Sequence, residues 1–133
     1  MLAAMILAFF QPAAPPDFTR DVRPILARAC FKCHGPDDAA RKGKLRLDDF
    51  VSARAGGRSG QAAVVPGKPA ESLLLARLDA EGSAHMPPAS TGLVLSDKEK
   101  AILRAWVAGG AEYRQHWAFV APVKPPVPPV NHQ

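Results

Sequence analysis

Cys30 and Cys33 are the only cysteines in the chain, and His34 follows the second directly, in the stretch ILARACFKCHGPDD (residues 25–38). Three chemistries use two thiols at this spacing. A redox CxxC pair of the thioredoxin type goes with a βαβ pattern, and the chain has none. A zinc site needs four ligands, usually two such pairs; a second pair is missing, so zinc would have to recruit scattered histidines. Covalent haem attachment uses CxxCH as it stands. Each sulfur adds to one vinyl group and the adjacent imidazole reaches the iron. Two thioethers and one Fe–N bond then fix an edge and a face of the porphyrin, which is why the His must directly follow the second Cys. The plain alternative is a CxxC disulfide beside an idle His.

A haem held by one His needs a second axial ligand if it is to pass electrons without binding substrate. The downstream candidates are Met86, His85, His116 and His132. Met86 precedes Pro87–Pro88, and two prolines stiffen the backbone so that a loop can press one side chain onto iron. It is also the only methionine after residue 5. Its plainer role would be to fill a gap in the core. His85 is adjacent and could substitute. His116 and His132 lie beyond the last core helix and are expected on the surface. A thioether is soft and favours ferrous iron, so a His34/Met86 pair implies a raised reduction potential.

The elements that would position these residues are mostly helical. Phe18, Val22, Ile25, Leu26 and Ala29 recur at helical spacing, which predicts a helix over 17–34 that brings both cysteines to one face. Pro24 is tolerable there if Asp21 is the N-cap, because it then falls in the first turn. A second helix is expected from about Ala70 to Asp79, with Pro69 at its start and Leu74, Leu75 and Leu78 on its buried side. The clearest lies in LSDKEKAILRAWVAGGAEY. Ser96 and Glu99 form a capping box, Ile102, Leu103, Trp106 and Val107 make the apolar side, and Gly109–Gly110 is the stop. Residues 35–68 read as irregular, with short apolar runs at Leu45/Leu47 and QAAVVPG that could pair as a two-stranded β-ribbon. SAHMPPASTGLVL is a loop. The expected fold is therefore mainly α, about three core helices with long loops. A domain of about one hundred residues has a modest core, and a buried porphyrin would supply much of the missing apolar contact.

The chain has 133 residues and a formal net charge of +5, and the excess is local. Residues 20–58 carry ten Lys/Arg against five acids, and the remainder balances at seven against seven. Such a region can steer an acidic redox partner at low salt. No basic stripe with interleaved aromatics and no nucleic-acid motif is present, which argues against nucleic acid. Arg41, Lys42, Lys44 and Arg46 include candidate partners for haem propionates. Residues 1–16 carry no charge, and the apolar run Leu2 to Phe10 is too short to span a bilayer. The run fits an export leader that could be cleaved near Ala13–Ala14 or retained as an anchor, although no Lys or Arg precedes it. Export to a periplasmic or cell-envelope compartment is the expectation. The divisions are a leader at 1–16, a domain at 17–119 and a proline-rich linker or tail at 120–133.

The blocks DFTRDVRPILARACFKCHGPD, KGKLRLDD, VVPGKPAESLLL, HMPP, LSDKEKAILRAWVAGGAEY and HWAF together resemble the class I cytochrome c family, and more closely the planctomycete-type cytochrome c domain. The resemblance implies that the first and last helices cross over a haem c held by Cys30 and Cys33, with His34 proximal and Met86 distal. It implies an electron carrier rather than an enzyme, one that usually opens a longer chain, with HWAF and prolines leading into further domains. Two rival readings remain. One is a haem enzyme or ligand sensor with a labile sixth position. The other is a haem-free recognition module held by a disulfide.

Overall fold

A computed structural model of the chain describes residues 14–114 together with residues 118, 121, 122 and 124. Most of the expected leader and tail, and both His116 and His132, lie outside the described residues.

The stretch expected as one helix forms as the apolar stripe predicts, but in three parts. Asp17 caps it, its Oδ1 accepting from Arg20 N–H at 2.9 Å, so the cap is Asp17 and not Asp21. Asp21 Oδ2 reaches back to accept from Asp17 N–H at 2.8 Å. Pro24 has no N–H to offer the Arg20 carbonyl, and its ring would collide with that oxygen. The chain widens in response: Phe18–Val22 is a π-helical turn, with Arg23 N–H donating to Phe18 O. Helix α1 then runs Arg23–Ala29, with Pro24 in its first turn. Phe18, Val22, Ile25, Leu26 and Ala29 are all buried. At Cys30 the backbone leaves helical values (φ −125°, ψ −40°) before the single turn α2, Phe31–His34.

Between 35 and 72 the chain is held by short helices and by side chains that cap backbone groups. Helix α3, Phe50–Ala55, starts on Asp49, whose carboxylate accepts from Ser52 N–H, and stops at Gly56 (φ 78°). The expected β-ribbon is not formed, and no strand occurs among the described residues. The backbone groups that would have paired are taken elsewhere. Arg46 N–H donates to Ser52 Oγ (2.9 Å) and Leu47 N–H to His34 O (2.8 Å). Ala63 N–H donates to Ala53 O, while the Ala62 and Ala63 carbonyls accept from Leu73 and Leu74.

The second expected helix is also interrupted. A 3-10 turn at Pro69–Glu71 precedes α4, Leu73–Asp79, and Ser72 sits between them in extended conformation. Ser72 is the one buried polar residue among those described, and its Oγ explains the break. It accepts from Val65 N–H at 2.9 Å and donates to Lys68 O at 3.0 Å. Buried polar groups must be paired, and this hydroxyl pairs two main-chain groups at once.

Helix α5, Asp97–Ala108, has the expected capping box: Ser96 Oγ accepts from Glu99 N–H and Glu99 Oε2 accepts from Ser96 N–H. It ends in a Schellman turn, with Ala111 N–H on Trp106 O and Gly110 N–H on Val107 O, Gly110 taking φ 107°. Leu103, Trp106 and Val107 are buried, and the indole N–H is satisfied by Glu112 O at 3.1 Å.

The first and last helices pack together. The Phe18 ring lies 5.7 Å from Trp106 and 4.7 Å from Tyr113, centroid to centroid. Arg28 and Glu99 pair at 2.6 Å on the rim. Asp79 at the end of α4 pairs with Arg104, and Gly67 N–H donates to Val107 O, so α4 and its approach also rest on α5. No helix among the described residues is long and apolar enough to cross a membrane.

Candidate functional site

Cys30, Cys33 and His34 share one turn, held by the Cys30 carbonyl, which accepts from both Cys33 N–H (3.1 Å) and His34 N–H (2.8 Å). Both thiols are free, Cys30 buried and Cys33 half-buried. Burial pushes the Cys30 thiol up to about 11; the positive charge of Arg28 opposes that shift and the neighbouring Cys33 adds to it. Cys30 is therefore a protonated thiol near neutral pH, and Cys33 is the more accessible sulfur.

The imidazole of His34 is oriented by the main chain. Its Nδ1 lies 3.2 Å from the Lys42 carbonyl oxygen, an acceptor only, so the ring donates from Nδ1 and Nε2 is the nitrogen that carries the lone pair. A ring nitrogen freed for iron by a carbonyl on the opposite nitrogen is the usual outer support of a ligating His. Burial lowers the His34 pKa, while the carbonyls of Lys42 and Leu45 pull the other way, and the net direction favours the neutral imidazole that ligands require. The segment carrying that carbonyl is tied to the turn twice more, by Lys42 N–H to Cys33 O (2.7 Å) and Leu47 N–H to His34 O (2.8 Å). Two sulfurs on one turn and an imidazole with a committed tautomer fit a covalently held haem.

Met86 stands on a separate support. Its N–H donates to Arg77 O at 2.9 Å, and Arg77 Nη1 donates to Ala84 O at 3.2 Å, so the loop is pinned to the end of α4. The side chain is half-buried, and the peptide to Pro87 is cis. The neighbouring His85 also has a committed ring: its Nδ1 donates to Pro87 O at 2.9 Å. Among the described residues no three His, Cys, Asp or Glu side chains gather as a metal cage. A cavity of about 100 Å³ lies between Pro15–Phe18 and Trp106–Arg114, away from the cysteines and Met86.

Two of the four candidate propionate partners are already committed. Arg41 bonds Gly35 O and Pro36 O and pairs with Asp38, and Arg46 pairs with Asp48. Lys42 and Lys44 form no ion pair among the described residues. Three contributors escaped sequence reasoning: the Lys42 carbonyl, Gly35 directly after the His, and Tyr113. Gly35 and Tyr113 left a signal, the first by its position and the second as the only tyrosine of the chain.

No curated protein and no solved structure matches this chain. A family model does, over a stretch that starts at the first cysteine and ends within the loop that carries Met86. Residues 30–90 match the family described as Planctomycete cytochrome C, which points to a haem-binding electron-transfer module.

Proposed function

We propose that this chain carries one haem c, bound through thioethers to Cys30 and Cys33 with His34 and Met86 on the iron, and serves as a one-electron carrier. The observation that carries the reading is the His34 ring, its Nδ1–H held by the Lys42 carbonyl on the turn that bears both thiols. The group supplies reversible one-electron chemistry at iron. The polypeptide supplies attachment and rigidity. His34 offers Nε2 from a ring already oriented, so no tautomer change accompanies an electron. The Arg77 bonds pin the Met86 loop to α4. On this reading the packing of first on last helix is cytochrome c-like, and a haem would be held by Cys30, Cys33, His34 and Met86.

Lys42, Lys44 and Arg58 support a partner with acidic surface groups. None is ion-paired among the described residues, and Arg58 N–H donates to Gly43 O at 2.6 Å, which sets the three around one loop crossing. Attraction of this kind weakens as salt rises. The apolar run Leu2 to Phe10 supports an exported location.

One observation favours a second reading of the distal ligand. His85 has its Nδ1 committed to a carbonyl just as His34 does, which leaves its Nε2 free. Visible and near-infrared spectra of wild type, Met86→Ala and His85→Ala, made with a haem-attachment system, separate the two. A ferric sulfur-to-iron charge-transfer band in wild type and His85→Ala that vanishes in Met86→Ala supports the assignment. A band unaffected by Met86→Ala removes Met86, and a wild type without covalent haem removes the whole reading.

A further inference from the structure

The loop that grips His34 has an outer tether that lies beyond residues 30–90. Tyr113 follows the Schellman turn of α5, where Gly110 (φ 107°) and Ala111 (φ 50°) fold the chain back over the core. Its ring is packed against Phe18 (4.7 Å), Trp106 (5.2 Å) and Phe50 (5.6 Å), so its direction is fixed by the aromatic core. From that position Tyr113 Oη–H donates to the Leu47 carbonyl at 3.1 Å, across 66 residues of sequence. Leu47 in turn donates its N–H to His34 O, and Lys42, at the other end of the same segment, accepts from the His34 ring.

We propose that Tyr113 is a positioning residue for His34: its hydroxyl clamps segment 42–47 onto the Cys30–His34 turn, and so sets how firmly the Lys42 carbonyl holds the imidazole. This rests on the haem reading for its redox consequence, but the clamp itself belongs to the polypeptide. A stronger bond at Nδ1–H makes the opposite nitrogen a better donor, and a better donor favours ferric iron. Loosening the clamp therefore raises the reduction potential. The Phe50 ring packs on the same tyrosine but bonds nothing in the segment, which provides the control.

The test compares wild type, Tyr113→Phe and Phe50→Leu. Tyr113→Phe keeps the ring and removes one hydroxyl. In the protein as isolated, with haem where it is taken up, amide exchange at Lys42 and Leu47 should quicken about five- to tenfold, the loss expected for one neutral hydrogen bond. In the haem-loaded ferrous protein the His34 Nδ1–H should exchange faster too, and the potential should rise. Phe50→Leu should lower the unfolding midpoint while leaving the exchange at Lys42 and Leu47, relative to global opening, unchanged. Equal protection at Lys42 and Leu47 in Tyr113→Phe and wild type overturns the clamp. So does a matching change in Phe50→Leu, which would mean a general loosening. If wild type takes up no haem, the functional reading fails while the amide exchange still decides the clamp.

Discussion

Replacing Gly35 with alanine tests how tightly the turn around the histidine is built. Gly35 has φ −129° and ψ −163°, values any residue adopts, so the backbone itself is not the obstacle. The obstacle is space. A Cβ added there falls 2.2 Å from the Phe31 carbonyl oxygen and 2.9 Å from Phe31 Cβ. A comfortable C···O approach is about 3.3 Å, so the two groups must part by about 1 Å. The oxygen is main chain and cannot swing aside as a side chain would. The displacement passes into α2, which carries Cys33 and His34, and a 3.2 Å bond from His34 to Lys42 does not survive it. Overpacking of this kind costs about 1–3 kcal/mol. For a domain near one hundred residues that corresponds to a fall of about 4–24 °C in Tm. Thermal unfolding of the apoprotein by circular dichroism measures the loss, and haem-stained yield after co-expression with attachment machinery measures the effect on the site. A Gly35→Ala protein that melts within about 2 °C of wild type and takes up haem to the same yield would refute the close-contact argument.

The unequal burial of the two thiols predicts their order of alkylation in the apoprotein. Iodoacetamide at pH 8 should modify Cys33 first, and Cys30, buried with its thiol raised to about 11, only as denaturant opens the chain; mass spectrometry of the two tryptic peptides, 29–32 with Cys30 and 33–41 with Cys33, reads this directly, and equal rates would contradict the burial. Acid should weaken the fold through two carboxylates. The Arg20 side-chain bond, then the Asp17 N–H, draw Asp21 from 3.8 to about 2, and the Ser96 N–H, then Arg28, hold Glu99 below its ordinary 4.5. Both folded values lie below the unfolded ones, so the unfolded chain binds more protons in this window. Their contribution is complete above about pH 4.5 and is lost as pH falls toward 2. Urea midpoints across that range should drop with pH, less steeply in Asp21→Asn; identical slopes would show that Asp21 is not the group responsible.

The helices and their buried faces were legible because period and caps act locally. The stripe from Phe18 to Ala29, the leucines of α4 and the Ser96–Glu99 box needed no tertiary information. The CxxCH turn was legible for a different reason, since its chemistry resides in the spacing itself. Where reading failed, a side chain had captured a main-chain group from a distance. Ser72 interrupted the expected helix near its start, and Ser52 with the His34 carbonyl took the donors of the supposed ribbon. The π-helical turn before Pro24 also lay out of reach, because the sequence shows the proline but not which carbonyl must move. The support of His34 was the least legible part: it is a carbonyl, and every residue has one.

The meeting of the first and last helices also sets a timetable. Phe18 cannot find Trp106 or Tyr113, nor Arg28 find Glu99, until the far end of the domain exists. At a synthesis speed of about 5–20 residues per second the eighty residues from Cys33 to Tyr113 take about 4–16 s to make. Throughout that interval both sulfurs ride on an open thread, and closure afterwards hides Cys30. Any reagent or enzyme that had to reach Cys30 would meet it before that closure and not after.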